Sequence, residues 1–230
     1  IKNSLFIFKP NLSSFPMHLI IKKLFIIMKL IIIFLSPQLN VYAQKNQSFD
    51  DFGLISIMYH RFDESKYPST NIQMNVFLKQ LEIIEKEGLK FIHPDEIEKS
   101  LSEMKNERKI LFTVDDGLLS FYENAWPVLK RKKIPFLLFI NTREVGTFNY
   151  MNWSQIIELN NYKFVEIGNH SHSHEYLVEE EPKTIREDIL KAKKIFKDKL
   201  GRNSKFFSYP FGEYSLEFKE IIKDLGFKYA

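Results

Sequence analysis

None of the 230 residues is cysteine, which rules out disulfides, thiolate metal ligands and a cysteine nucleophile together. Any metal must then be held by imidazole and carboxylate groups. The absence leaves the redox compartment open. Internal repeats and low-complexity tracts are also lacking, and nothing in the length demands more than one α/β domain of ordinary size. A third absence is local: residues 1–43 contain no acid. They hold five of the 33 basic residues, so the remaining chain carries 28 basic against 29 acidic groups. The formal charge of +4 therefore belongs to the head alone, and the body has no electrostatic footprint for DNA or RNA.

The basic head reads as a targeting segment. Met28-Lys29, the apolar run Leu30 to Leu35, the break at Ser36-Pro37 and the small-residue end Val41-Tyr42-Ala43 follow the order of a secretory signal. Residues 28–43 are thus expected to be a signal peptide cleaved before Gln44, which places the mature protein in the periplasm or outside the cell. Residues 1–27 are read as an upstream segment, possible untranslated sequence, and 44–52 as a polar linker. The alternative is an uncleaved anchor through 19–35, which Lys22, Lys23 and Lys29 make costly.

From residue 53 onward, short apolar runs alternate with amphipathic segments. Strands are predicted at 53–59, 89–92, 109–114, 135–140, 163–168 and 205–209, with a last one beginning at Phe227. Helices are predicted at 74–87, 94–103, 118–132, 153–160, 182–200 and 214–225. Phe77, Leu81 and Ile84 form one buried stripe, with Gly88 as its stop; Ile185, Ile189, Ala192 and Phe196 form another, between Pro182 and Gly201. Continuous apolar strands separated by helices imply a parallel sheet covered on both faces, hence a barrel or a doubly wound sheet.

The chemically suggestive groups fall just after predicted strands. His60 follows the first, Asp115 and Asp116 the third, His170 the fifth and Tyr209-Pro210-Phe211 the sixth. In a (β/α) barrel those strand ends converge on one site. Asp115 and Asp116 close the run Thr113-Val114-Asp115-Asp116-Gly117. Half of the six histidines lie in the window His170-Ser171-His172-Ser173-His174. In a helix or turn, His170 and His174 share a face while His172 is rotated by about 200° from His170. In an extended segment all three would align. The turn-like geometry is the expectation, since Gly168-Asn169 closes the strand and Asp116 offers a third ligand. Two nitrogens, one oxygen and a spare carboxylate are what metal-assisted hydrolysis requires.

These residues resemble the polysaccharide deacetylases with a NodB-homology domain, also called carbohydrate esterase family 4. The likeness covers roughly residues 53–230 and implies a distorted (β/α)7 barrel. By this resemblance Asp115 is the catalytic base, and Asp116, His170 and His174 hold a divalent metal, with Zn²⁺ the expected ion. Tyr209, Pro210 and Phe211, within Phe207-Ser208-Tyr209-Pro210-Phe211-Gly212, form a wall of the substrate groove. The implied reaction is removal of acetyl groups, mainly N-acetyl, from an envelope or extracellular polysaccharide.

Two departures qualify the match. Many members carry an arginine that orients the base, where this chain has Ser208; Arg61 and Arg143 are candidates to replace it. The later family motifs, with an acetyl pocket and a general-acid histidine, are expected beyond Ala230, so the domain is read as truncated. His60 is a candidate for that acid or for a buried structural role. Tyr150 is a candidate sugar-stacking residue, and Trp153 is expected to pack in the core. Two other classes of function stay open: a glycan-binding module without turnover, and a metal-dependent deacylase of a small amide.

Overall fold

The computed structural model describes residues 53–102 and 107–230, so the expected leader and linker lie outside the described residues. The central sheet is parallel. Strand β1 (Gly53–Tyr59) pairs along its whole length with β5 (Arg108–Val114), from Gly53 opposite Arg108 to Tyr59 opposite Val114. The other edge of β5 is shared, with β4 (Lys90–Phe91) against its first half and β6 (Phe136–Ile140) against its end. Strand β7 (Val165–Asn169) follows β6 in register. Single parallel bridges, Asn169 to Phe207 and Phe206 to Tyr229, continue the series. The strands expected at 205–209 and from Phe227 are thus present as bridges rather than as full ladders. A small separate pair, β2 (Arg61–Phe62) with β3 (Asn71–Ile72), was not foreseen.

Strand alternation sends two different sets of side chains to the two faces of this sheet. Phe112, Val114, Phe136, Leu138 and Ile140 enter the main core, where aromatic rings meet edge to face; Phe121 and Phe136 are 5.4 Å apart at 69°. Leu111, Leu137 and Phe139 turn the other way, into a smaller cluster with Ile92, Ile97 and Phe206. Burial on both faces explains why these strands read as unbroken apolar runs.

The covering helices follow their stripes. Helix α1 (Met74–Lys86) buries Phe77, Leu81 and Ile84. It ends in a left-handed Gly88 (φ +67°), with the Leu89 N–H donating to Ile84 O and the Gly88 N–H to Glu85 O. After a single 3₁₀ turn at Pro94–Glu96 comes α2 (Ile97–Ser102). The helix expected over 118–132 is divided: a π-helical turn, Phe121–Ala125, precedes α3 (Trp126–Lys132). Pro127 sits in the first turn of α3, where its missing N–H costs nothing; within one continuous helix it would break the ladder. Helix α4 (Trp153–Asn160) opens with an Asn152–Gln155 capping box, and Trp153 packs on the main core as expected. Helices α5 (Pro182–Leu200) and α6 (Leu216–Asp224) complete the set. Among the described residues no helix is long and apolar enough to cross a membrane.

Gly168 faces Phe139 across the β6–β7 pair, and a Cβ there would lie 2.3 Å from the Phe139 ring. Both backbones are fixed by the ladder, so the ring has to leave its place. Gly168→Ala is expected to destabilise the fold by about 1–3 kcal/mol, the usual cost of overpacking, read as a lower urea midpoint.

Candidate metal centre

Asp115 continues the β5 alternation of Leu111 and Thr113, and its N–H extends the ladder by donating to Tyr59 O at 2.9 Å. Its side chain consequently turns toward the face of Leu137 and Phe139, into a cavity of about 420 Å³ that Ser208 and Tyr209 also line. The chain then reverses. Asp116 (φ +76°) and Gly117 (φ +71°) are both left-handed, and a Cβ on Gly117 would meet Ile140 at 2.7 Å. Asp tolerates that conformation better than most residues, and only Gly fits the next position. The turn separates two carboxylates that are neighbours in sequence.

Asp116 points to the histidines. Its Oδ1 lies 3.5 Å from His170 Nε2 and 3.3 Å from His174 Nε2, and it is buried without a hydrogen bond to either. The three donor atoms fall within 4.8 Å of one another. His170, at the end of β7, is buried, with Nδ1 2.7 Å from the Ser208 carbonyl oxygen. A carbonyl only accepts, so Nδ1 carries the proton and the Nε2 lone pair faces Asp116. The 170–174 segment is a bent loop, not a helix, with Ser171 (φ +68°) and His174 (φ +54°) left-handed. It brings the two rings to 4.8 Å between centroids. His172 is turned away, its Nδ1 2.9 Å from the Thr142 hydroxyl. The turn-like expectation holds and the three-histidine arrangement does not form.

Charge at this point is unbalanced in a telling way. Burial works to raise the Asp116 carboxyl, but the two imidazoles outweigh it and hold the group well below the usual carboxylate range. Burial opposes a charged His170, yet Asp116 and Asp115 raise it all the same. The cluster favours positive charge at its centre, and an oxygen without a partner beside two nitrogens fits a divalent cation. Asp115 differs: burial pushes it up, against the opposing pull of His170 and His60, and it is only 4% exposed.

The remaining expected residues are placed unequally. Phe211 is 62% exposed and left-handed (φ +61°), an unusual conformation for a bulky residue, and its ring stands 4.9 Å from that of His174. Tyr209 is half-buried, packed on Phe207 and Phe218, and Pro210 is buried. Tyr150 pairs with Leu118, just past the Asp116–Gly117 turn, and burial, then the charge of Asp116, pushes its phenol up. Neither arginine orients the base. Arg61 is held by Glu64 at 3.0 Å and lies over the Tyr67 ring, while Arg143 binds Glu144 and Glu175. The contact to Asp115 comes from Ser208 itself, whose hydroxyl is 3.2 Å from Oδ2.

One contributor had no signal in the sequence. Asp188 of α5 accepts from the His172 N–H at 2.7 Å and from the Ser173 N–H at 3.0 Å, clamping the loop between the two histidines. Partners of this kind commonly govern metal affinity. Asp188→Ala is expected to weaken zinc binding roughly 10- to 100-fold, whereas His172→Ala leaves it near normal; competitive titration against a chromophoric chelator measures both.

One carboxylate and two imidazoles gathered at the ends of parallel strands make a donor set that could hold a metal ion on an α/β scaffold. Residues 102–230 match the profile of the polysaccharide deacetylases. The solved structure of IcaB from Ammonifex degensii is 30% identical, superposes with a TM-score of 0.70, and is matched over 76% of this chain and 82% of that one. The fold is shared with the deacetylase PplD of Streptococcus pyogenes, at 22% identity and a TM-score of 0.69 over 76% and 81% of the two chains. Among curated proteins, the poly-beta-1,6-N-acetyl-D-glucosamine N-deacetylase of Staphylococcus aureus is 28% identical over 54% of this chain and 47% of its own length. The chain spans 47% to 61% of the length of the first curated relatives it matches. It belongs to the polysaccharide deacetylase family.

Proposed function

We propose that this protein is an exported, metal-dependent hydrolase that removes N-acetyl groups from an envelope or extracellular polysaccharide. The observation that carries the reading is the pairing of an Asp116–His170–His174 donor set with a second buried carboxylate, Asp115, whose Oδ1 has no hydrogen-bond partner. Asp116, His170 and His174 would hold the metal, with Zn²⁺ as the expected ion. A bound divalent cation supplies Lewis acidity to an acyl carbonyl and to a water.

The chain's own groups do the rest. Asp115 Oδ1 takes a proton as the water oxygen bonds to the carbonyl carbon. The C–N bond then breaks, and the sugar nitrogen takes a proton as acetate departs. His60, the residue after β1 and next to Tyr59, whose carbonyl accepts the Asp115 N–H, is our candidate donor for that proton. Phe211 and Tyr176, the latter 42% exposed and 5.8 Å from Phe211 between ring centroids, form an aromatic rim beside His174 that suits the apolar face of a pyranose. Strain at an exposed aromatic residue supports a binding role for Phe211.

The relative from Staphylococcus aureus suggests the first substrate to try, a β-1,6-linked N-acetylglucosamine oligomer. Zinc-loaded protein should release acetate from it and lose that activity on chelation, with recovery on adding zinc. Binding of the oligomer without acetate release would favour a glycan-binding module instead. Cleavage confined to small acyl amides would favour the deacylase.

A further inference from the structure

Resting on the function proposed above, we infer that Ser208 is the positioning residue for the base and couples it to the metal ligand His170. Its two polar groups act in two directions. The hydroxyl donates to Asp115 Oδ2 at 3.2 Å, and the carbonyl accepts from His170 Nδ1–H at 2.7 Å. The hydroxyl engages one carboxylate oxygen and leaves Oδ1 unpartnered, which is the oxygen available to the attacking water.

The backbone that carries Ser208 is fixed from both sides. The Ser208 N–H donates to Asn169 O at 2.9 Å, one residue before His170, and the Phe207 N–H donates to Tyr229 O at 2.8 Å. Any shift of this segment against β7 would therefore move the base contact and the histidine contact together. The two arginines that could have served are engaged elsewhere, Arg61 by Glu64 and Arg143 by Glu144 and Glu175. A neutral hydroxyl aims the carboxylate without adding a second positive charge beside the metal donors, and a hydrogen bond to a charged group has enough energy to hold it.

The test separates the hydroxyl from the carbonyl. Ser208→Ala removes only the first, so zinc affinity should stay within about twofold while kcat for acetate release falls roughly 10- to 100-fold with KM little changed. Ser208→Thr keeps the hydroxyl and should recover most of kcat. Full kcat in the Ala variant, or a loss of kcat that merely follows a loss of zinc, overturns the proposal, as does a Thr variant no better than Ala. A crystal structure of the Ala variant decides the matter independently of turnover: Asp115 should leave its present rotamer or split between two. An unmoved Asp115 overturns the positioning role even if the parent protein releases no acetate from any glycan, a result that would by itself defeat only the proposed function.

Discussion

Asp115→Asn is expected to lower acetate release from a β-1,6-N-acetylglucosamine oligomer by about 10²- to 10⁴-fold, the range typical of losing a general base. The substitution keeps the size of the side chain and an oxygen for the Ser208 hydroxyl, but it removes the basic site at Oδ1. Zinc content should stay near that of the parent protein, because the Asp115 carboxylate lies outside the cluster formed by Asp116, His170 and His174. Steady-state kinetics with metal analysis on the same preparation reads both quantities. Loss of zinc with this substitution would reverse the roles of the two acids, and full activity would remove Asp115 from the mechanism.

Asp116→Ala, His170→Ala and His174→Ala are each expected to abolish stoichiometric zinc binding, and activity should fall with it. Each removes one of three donors whose atoms lie within 4.8 Å of one another. His174→Ala is the cleanest of the three, since its ring is partly exposed while that of His170 is buried and tied to Ser208. Isothermal titration with Zn²⁺ measures the effect, and near-unchanged circular dichroism shows that the fold has survived. A His174→Ala protein that binds zinc as the parent does would rule out the proposed ligand set.

The parts of this molecule that could be read in advance are those where local pattern and tertiary role coincide. Strands β5 and β6 are buried on both faces, so their residues from Ile110 to Val114 and from Phe136 to Ile140 announce themselves as apolar runs. Helix α5 carries its boundaries in Pro182 and Gly201 and its face in Ile185, Ile189, Ala192 and Phe196. Where a pairing involves only one or two residues, periodicity has nothing to work on. The two-residue strands β2 and β3 accordingly leave no pattern in the sequence, and the apolar segments at Phe206 and Tyr229 form single bridges instead of the strands expected. The division of the 118–132 helix does have a mark in the sequence, Pro127, which lacks the N–H that a continuous helix would need there.

The site divides in the same way. Asp115, Asp116, His170 and His174 were visible because the chain ends apolar strands with them. The exclusion of His172 follows from the geometry of a turn. Ser208 and Asp188 were not visible in these roles. Ser208 is 93 positions from the carboxylate it touches, and Asp188 acts on backbone N–H groups, which leave no mark in the side-chain sequence.

The distance between Asp116 and the two histidines along the chain has a thermodynamic consequence. Residues 116, 170 and 174 meet only when β5 and β7 are in place, so an unfolded chain offers no comparable site, and a cation held at the proposed site would be linked to folding. Each tenfold rise of free zinc above the dissociation constant then adds about 1.4 kcal/mol to stability, or about 4 kcal/mol at a thousandfold excess. If the proposed ligand set holds zinc, the melting temperature of this protein should therefore rise with the zinc in its surroundings. On the same proposal, a compartment poor in the metal would hold the protein closer to unfolding as well as idle.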